Sequence, residues 1–287
     1  SVLGPLLGSA SVGSETVPMP DRPAVAVLDP AMGGGDFLAG AIDYICDHVG
    51  AGHCDGGLRA RVAATCVYGV DIDPVAVDIA RFAVWVASRF ADGICDDIRS
   101  HLICADSLGS HFDWTDAFPD VMRREPAGFD AVVGNPPYIA AKNGLGHPRS
   151  LKGQSDSYLL FLSAAIERGL VRRGGMLSMV LPDPMLVRGN AAKVRRTLVE
   201  DWELISVLHI SGAFPEAVVA NVVPVCRNAA PAGRTFTVSR IERAAEHRAF
   251  SLRPRATADI LSRRVRRATM LSQPRSELLY MLEDGTF

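Results

Sequence analysis

Long hydrophobic runs are absent from this chain of 287 residues. No run approaches the roughly 18 apolar residues that a membrane-spanning helix needs, which argues against an integral membrane protein. No basic and then apolar opening of the signal-peptide type is present. The chain opens on Ser1 rather than Met, which indicates a fragment or a processed protein. We therefore expect a protein of the cytoplasm.

Paired cysteine motifs are also absent. The six cysteines are scattered, and no two of them form a Cys-x-x-Cys pair. This usage is typical of reduced thiols and not of a disulfide framework. Cys46, His48, His53 and Cys54 bring ligand-type side chains together, but their spacing matches no standard zinc pattern, so we predict no metal site.

Lysine is missing from the stretch Arg227–Arg275, which contains twelve Arg and only three acidic residues. The whole chain has a net charge of −2, so the rest of the chain is acidic. A basic segment beside an acidic body indicates contact with a polyanion. A solvated, Arg-rich connector is the alternative.

Residues 129–138 carry the motif around which the chain is organised. A run of small and β-branched residues, typical of a buried parallel strand, ends at Gly134. Asn135-Pro136-Pro137-Tyr138 follows, and its two prolines predict a stiff, extended loop. Ligands of open α/β sheets bind at the carboxyl ends of strands. We predict a reactive loop here, and the alternative is a Pro-rich turn without a function.

A second loop joins a predicted strand at Val25–Leu28 to a helix that runs to about Val49. Its glycines let a ligand approach the backbone, and the helix start offers N–H groups to a carboxylate. The dinucleotide fingerprint Gly-x-Gly-x-x-Gly is not met, because Leu38 takes the place of the third glycine. The candidate residues in this loop are Asp29, Ala31, Gly33, Gly35 and Phe37.

Acidic residues follow the next two predicted strands. Asp71, followed by Ile72, ends the second strand, where it can accept hydrogen bonds from two ribose hydroxyls. Asp73 precedes Pro74, as a helix N-cap does, and we interpret it only as a cap. Asp106 follows the third strand, where contact with the adenine of a cofactor and a simple turn-forming role are both open.

Together these three motifs resemble those of adenine-specific DNA methyltransferases in which the cofactor motif precedes Asn-Pro-Pro-Tyr. The loop at 29–38 resembles the signature Asp-Pro-Ala-Cys-Gly-Ser-Gly-x-Phe-Leu, with Met32 and Gly34 in place of its Cys and Ser. Residues 68–77 resemble the branch of type IIG restriction–modification enzymes and related phage-defence methyltransferases. The resemblance covers residues 25–226.

The resemblance implies S-adenosylmethionine as the cofactor and, as the substrate, an adenine flipped out of a DNA duplex. It implies that Asn135 and Pro136 bind the amino group of that base, while Tyr138 stacks on the ring with help from Phe214. The implied cofactor contacts are Asp29, Ala31, Gly33, Gly35, Phe37, Asp71, Ile72, Asp106 and Asn135.

The implied fold is α/β, a Rossmann-like class I S-adenosylmethionine-dependent methyltransferase. Its sheet is expected to be mostly parallel and seven-stranded, with a terminal antiparallel hairpin formed by strands near 204–210 and 218–226. We predict an irregular lead-in at 1–24 and a catalytic domain at 25–228. Residues 229–287 are predicted to be an Arg-rich connector or the start of a target-recognition domain. A complete target-recognition domain and an endonuclease domain are candidate missing parts.

Two other functions stay open at this point. Asn-Pro-Pro-Tyr also suits the amino group of an RNA base or the amide of a protein glutamine. The fold could also persist as an inactive remnant that binds the cofactor or nucleic acid without turnover. Assays of methyl transfer to DNA, RNA and a release-factor peptide separate these readings.

Overall fold

The structure is a computed structural model that describes residues 25–49, 56–139, 156–210, 220–241 and 261–277. The predicted lead-in at 1–24, His53, Cys54 and Phe214 lie outside the described residues. The described residues belong to two compact units. The first contains those within 25–137 and 164–177, and the second contains those within 138–163 and 178–277.

The first unit contains four short strands and six helices. Its strands are β1 (Val27–Asp29), β2 (Val67–Asp71), β3 (Leu102–Cys104) and β4 (Phe129–Gly134). Its helices are α1 (Asp36–Val49), α2 (Gly56–Thr65), α3 (Pro74–Ala87), α4 (Cys95–His101), α5 (Trp114–Ala117) and α6 (Pro119–Met122). Most of strand β5 (Val171–Met179) and the end of helix α7 (Ser157–Glu167) also belong to this unit.

The strands of the first unit follow the order β5-β4-β1-β2-β3. β1 pairs in parallel with both β2 and β4, and β2 pairs in parallel with β3. The strand order therefore reverses between β1 and β4. In open α/β sheets the ligand crevice lies at such a switch point, outside the carboxyl ends of the two strands. The loops after β1 and β4 are the two that the sequence predicts to be functional.

A buried carboxylate holds the strands of the first unit together. Asp130 in β4 accepts a hydrogen bond from the backbone N–H of Ala26 at 2.8 Å. Its two oxygens also bind the guanidinium groups of Arg124 at 2.6 Å and Arg172 at 2.5 Å. A buried charge is tolerated when it is paired and hydrogen-bonded, as this one is. The network fixes β4 and therefore the loop that follows it.

The second unit contains the remaining strands and helices. Its strands are β6 (Leu181–Pro182), β7 (Glu203–Ile210), β8 (Asn221–Arg227), β9 (Thr235–Ile241) and β10 (Leu261–Arg266). Its helices are α8 (Ala192–Glu200), α9 (Arg267–Leu271) and two short 3-10 helices at Asp183–Leu186 and Gly189–Ala191.

The strands of the second unit run in the order β10-β9-β7-β8, and β6 pairs with β8. The predicted antiparallel pair near the end of the catalytic region is confirmed, because β7 and β8 pair antiparallel. The predicted count of seven strands is wrong, since the described residues contain ten. β9 and β10 lie in the Arg-rich stretch, where Phe236, Val238 and Val265 alternate with polar residues and are buried. The predicted domain boundary at 228 stays a prediction.

Arg195 on α8 is buried, which is rare for this residue type. Its guanidinium donates to the carbonyl oxygens of Met185 at 2.7 Å, Arg188 at 2.8 Å, Arg275 at 2.7 Å and Ser276 at 3.1 Å. Burial lowers the pKa of Arg195 to about 10, so the group stays charged at neutral pH. This side chain ties the segment after α9 to α8. Among the described helices, none is long and apolar enough to span a membrane.

Candidate active site

The loop between β1 and α1 is a tight backbone turn built on two glycines. Gly33 and Gly35 have positive φ angles of 50° and 86°, which L-residues with side chains adopt at a cost. A Cβ atom on Gly35 would lie 3.0 Å from the Cα of Ala80, so helix α3 approaches the loop closely at this point. A Cβ on Gly33 would meet nothing within 4 Å. Gly35 is therefore needed for packing, while Gly33 borders open space.

Asp71 ties this loop to the end of β2. Its Oδ2 accepts a hydrogen bond from the N–H of Gly33 at 2.9 Å, and its Oδ1 accepts one from the N–H of Asp73 at 2.9 Å. Each carboxylate oxygen has a second lone pair, so both retain the capacity to accept another hydrogen bond. The predicted role of Asp71 toward ribose hydroxyls is compatible with this geometry and stays a prediction.

Two residues that depart from the family signature fit their surroundings. Met32 is buried, and a Cβ on Gly69 in β2 would collide with its Sδ. A Cβ on Gly34 would lie 3.3 Å from the Cγ2 of Ile79. The larger Met32 is therefore accommodated opposite a glycine, and Gly34 lies in close contact with helix α3.

The other acidic candidates are turn and cap residues in this structure. The prediction that Asp73 is an N-cap is confirmed, because its side chain accepts a hydrogen bond from the N–H of Val75 at 2.9 Å. Asp106 accepts one from the N–H of Leu108 at 3.1 Å, which is the geometry of a turn. The adenine contact predicted for Asp106 stays a prediction.

Asp29 is a carboxyl group in an unusual environment. It is buried at the end of β1 and accepts a hydrogen bond from the N–H of Ala31 at 3.0 Å. Burial raises its pKa to about 7, the Ala31 hydrogen bond opposes this, and the charge of Asp71 adds to it. Its Oδ1 lies so close to β4 that a Cβ on Gly134 would be 2.6 Å away. Gly134 thus lets the end of β4 pack against the first residue of the cofactor loop.

Apolar side chains lie exposed beside these polar groups. Ile72 is 68% exposed and follows Asp71 directly, and Phe37 is 40% exposed in the first turn of α1. The N-terminus of α1 offers N–H groups that lack partners within the helix. Backbone donors, a carboxylate and exposed apolar side chains match the carboxylate, ribose and adenine of S-adenosylmethionine. The residues present therefore fit this cofactor.

The Asn-Pro-Pro-Tyr loop begins at the carboxyl end of β4, all of whose residues are buried. Asn135 is exposed, whereas Gly134 before it and Pro136 after it are buried. A rigid, buried framework therefore presents an exposed amide at the switch point of the first unit's sheet. Hydrogen-bond acceptors held on a rigid loop stabilise a reacting group without first reorganising.

Tyr138 belongs to the second unit, where its side chain is 42% exposed. Its hydroxyl donates to the carbonyl oxygen of Val180 at 3.0 Å and lies 3.2 Å from the Oδ1 of Asn221. The ring of Tyr158 meets the Tyr138 ring edge to face, with 6.1 Å between centroids. Burial raises the pKa of Tyr138 to about 12, so the hydroxyl stays protonated.

Two further sequence predictions concern Phe214 and the cysteine–histidine cluster. Phe214, the predicted partner of Tyr138, lies outside the described residues, and its role stays a prediction. In the cysteine–histidine cluster, Cys46 is buried and the His48 ring stacks on Tyr44 at 3.9 Å. The part of the chain that the structure describes contains no group of residues able to hold a metal ion. Asn221 was not among the predicted residues, because nothing in the sequence near it marks it as functional.

Comparison with known proteins now decides the family. Residues 65–214, just over half of the chain, match the Eco57I restriction-modification methylase family. The chain belongs to this family. The matched part of this Eco57I-type methylase includes Asp71 and residues 135–138, while the glycine loop at 29–38 precedes it. Its α/β fold is shared with solved modification subunits of restriction enzymes.

Similar proteins include an adenine-specific methyltransferase and modification subunits of restriction enzymes. The chain is 34% identical over 151 residues to the adenine-specific methyltransferase PglX of Streptomyces coelicolor, covering 41% of this chain and 12% of that protein. It is similar to the modification subunit attributed to a type I restriction enzyme of Vibrio vulnificus YJ016, with a TM-score of 0.61 and 17% identity over 90% of this chain and 57% of that one.

The type I EcoKI M protein is similar with a TM-score of 0.56 and 21% identity, over 76% of this chain and 44% of the M protein. At such identities the structural likeness shows the fold alone. The chain spans about an eighth of the length of PglX and about half of the two solved subunits.

Proposed function

We propose that this protein transfers a methyl group from S-adenosylmethionine to the exocyclic amino group of adenine in DNA, within a restriction–modification or phage-defence system. The observation that carries the proposal is the exposed Asn135 at the carboxyl end of β4, beside a glycine loop and a strand-end carboxylate suited to the cofactor. Family membership and the PglX relative support the substrate. The five cysteines that the structure describes form no disulfide bonds, as suits a cytoplasmic enzyme.

The chain's own residues would hold the cofactor in three places. Backbone N–H groups at the start of α1 would bind its carboxylate, Asp71 would accept hydrogen bonds from the ribose, and Ile72 and Phe37 would contact the adenine. When bound, S-adenosylmethionine supplies an electrophilic methyl group. Gly33 leaves the backbone open on the side where a Cβ would meet nothing within 4 Å. The same loop is held by the Asp71 hydrogen bond, so the site is largely preformed.

Asn135 and Pro136 would make the adenine amino group, which is a poor nucleophile, more reactive. The lone pair of that nitrogen is delocalised into the ring. The side-chain oxygen of Asn135 and the carbonyl oxygen of Pro136 would each accept one of its two hydrogens. This arrangement favours a tetrahedral nitrogen whose lone pair points away from the acceptors. Catalysis by positioning and preorganised hydrogen bonding needs neither a nucleophilic residue nor a metal.

Tyr138 would bind the base after it leaves the duplex. A target amino group inside the stack cannot reach the methyl donor, so the base must be flipped out. Unstacking costs a few kcal/mol, and an aromatic ring returns about 1–3 kcal/mol per base by stacking. The exposed part of the Tyr138 ring is suited to this role. Selection of the DNA sequence would come from a target-recognition domain, and cleavage from an endonuclease domain or subunit.

The test combines cofactor binding with three methyl acceptors. Calorimetric titration with S-adenosylmethionine should give saturable binding at one site. Tritium-labelled methyl transfer should then be measured with unmethylated genomic DNA, total RNA and a release-factor peptide. The proposal expects N6-methyladenine in DNA. Transfer to RNA or to the peptide alone would contradict the substrate, and binding without any transfer would indicate an inactive remnant.

A further inference from the structure

Tyr138 is held at both ends within the second unit. The backbone after it is fixed, because the N–H of Ile139 donates to the Ser157 hydroxyl at 3.1 Å and the N–H of Ser157 donates to the Ile139 carbonyl at 2.8 Å. The far end of the side chain is fixed by the hydroxyl contacts to Val180 and Asn221. Between these ends the residue is 42% exposed, so a partly exposed side chain is restrained at its tip.

The hydroxyl of Tyr138 has one proton but two neighbouring acceptor atoms. It donates to the carbonyl oxygen of Val180, which can accept a hydrogen bond but cannot donate one. The Oδ1 of Asn221 is the second acceptor, 3.2 Å from the same hydroxyl. Two acceptors on separate segments of the chain hold the hydroxyl in place more firmly than one would.

Asn221 is a buried polar residue at a rigid place. It is 3% exposed, and it pairs with Pro182 of β6 on one side and Ile210 of β7 on the other. The N–H of Asp183 donates to the carbonyl of the preceding Ala220 at 2.9 Å. Burying an amide is unfavourable unless it is hydrogen-bonded. The Tyr138 hydroxyl is the side-chain partner that the structure gives it, 83 residues away in sequence.

We propose that Asn221 is a positioning residue that, with the Val180 carbonyl, fixes the Tyr138 ring as a preformed stacking platform for the flipped base. The inference rests on the proposed function for its substrate, an extruded adenine. Ordering a loose aromatic side chain at the moment of binding reduces the free energy that stacking returns. A ring held in place before binding avoids this loss, and the effect appears in transfer to duplex DNA and not in cofactor binding.

A double-mutant cycle tests the pair. Tyr138→Phe removes only the hydroxyl, Asn221→Ala removes its partner, and Asn228→Ala, just beyond the far end of β8, is the matched control. We expect each of the first two changes to lower the single-turnover rate on duplex DNA by about two- to twelvefold, the range that one neutral hydrogen bond covers. The double variant should be no slower than the slower single variant. Cofactor affinity and the control variant should match the wild type.

Three results would overturn the inference, and the first two come from the transfer rates. One is wild-type transfer by Tyr138→Phe, which also decides the case if Asn221→Ala does not fold. The other is full additivity of the two losses, since independent residues add and coupled ones do not. If a lower melting temperature fully explains the slower methyl transfer by Asn221→Ala, the residue has a purely structural role, which would also overturn the inference.

A second measurement tests the anchor, by which we mean the hydrogen bond between Asn221 and the Tyr138 hydroxyl, separately from the proposed function. 3-Fluorotyrosine can be incorporated at the five tyrosines, and the Tyr138 signal assigned from its disappearance in Tyr138→Phe. We expect the fluorine signal to shift and change width in Asn221→Ala and to stay unchanged in Asn228→Ala. An unchanged Tyr138 signal in Asn221→Ala overturns the anchor. A shifted signal without methyl transfer to DNA in the wild type overturns the proposed function and leaves the anchor standing.

Discussion

The carboxylate of Asp71 accepts a hydrogen bond from the N–H of Gly33 at 2.9 Å and thereby fixes the glycine loop to the end of β2. One residue thus has two tasks in the proposed site. It positions the loop through Gly33, and we propose that its remaining lone pairs accept hydrogen bonds from the ribose hydroxyls. Asp73, two residues on, has a side chain that caps helix α3.

Asp71→Ala should weaken S-adenosylmethionine binding more than Asp73→Ala. Losing a hydrogen bond to a charged group costs about 1.5–3 kcal/mol, or roughly tenfold to a hundredfold in affinity. Asp73→Ala should instead lower helix stability by about 0.5–2 kcal/mol, the range for a lost N-cap. Calorimetric titration and thermal melts measure the two effects separately. Equal losses of affinity in the two variants would contradict the assignment of Asp71.

Gly33→Ala and Gly35→Ala form a matched pair at the same loop. Both residues have positive φ, so each alanine brings backbone strain of about 1–2 kcal/mol. Gly35→Ala adds a clash with Ala80 and should cost about 1–3 kcal/mol of stability beyond that strain. Gly33→Ala should lose most cofactor affinity at a smaller cost in stability. Unchanged cofactor affinity in folded Gly33→Ala would show that the open space there is not the cofactor site.

Asp29 should make the stability of the protein depend on pH. Its pKa is 3.8 in an ordinary environment and about 7 in the folded protein. Between these values the folded state binds a proton that the unfolded state has released. The contribution of Asp29 to the free energy of unfolding should therefore fall as the pH rises from about 4 to about 7. Denaturant melts across this range should show a weaker fall in Asp29→Asn, whereas the exposed control Asp92→Asn should keep it. The same slope in all three proteins would contradict the burial argument.

Helix α3 shows what the sequence could and could not predict. The spacing of Val75, Ile79, Phe82 and Val86 predicts a helix, and a helix is present at Pro74–Ala87. That apolar row is nevertheless exposed to solvent. The exposed fractions are 64% for Val75, 53% for Ile79, 61% for Phe82 and 39% for Val86. The residues that the helix buries are Val77, Ala80 and Val84. Close approach of the Gly35 loop selects the small Ala80, a requirement that periodicity does not reveal.

Local motifs gave the positions of the reactive loops, but long-range contacts were not predictable. Asp71 meets Gly33 across 38 residues, and Tyr138 meets Asn221 across 83. Arg267, in the predicted connector, is buried and donates to the Leu204 carbonyl at 2.6 Å. An Arg-rich stretch suggests a solvated surface, because its sequence does not show which guanidinium groups bind backbone carbonyls.

The strands β9 and β10 should contact the DNA backbone through one face. Residues that are directly opposite in an antiparallel pair lie on the same face, and Arg264 is opposite Thr237 while Arg266 is opposite Thr235. On that face the Ser239 and Ser262 hydroxyls lie 2.8 Å apart. Guanidinium and hydroxyl groups are typical ligands of phosphate. The other face, with Phe236, Val238 and Val265, is buried.

Arg264→Gln combined with Arg266→Gln should weaken DNA binding to a similar degree for all sequences. Each lost phosphate contact reduces the slope of log affinity against log salt by about 0.9. Arg196→Gln is the control, because Arg196 is exposed and already paired with Glu200. Binding isotherms at several salt concentrations, on unrelated duplexes, provide the measurement. An unchanged salt slope in the double variant would remove this face from the DNA interface.

The central claim is that Asn135 acts in catalysis through the substrate amino group, and that the cofactor contact implied for it by the family resemblance adds little to cofactor affinity. The most direct measurement is single-turnover methyl transfer to unmethylated DNA by Asn135→Ala, with S-adenosylmethionine affinity measured on the same preparation and Asn228→Ala as control. We predict that Asn135→Ala abolishes formation of N6-methyladenine while its cofactor affinity stays within about threefold of the wild type, because only a transition-state interaction is lost. Transfer by Asn135→Ala at the wild-type rate would contradict the account.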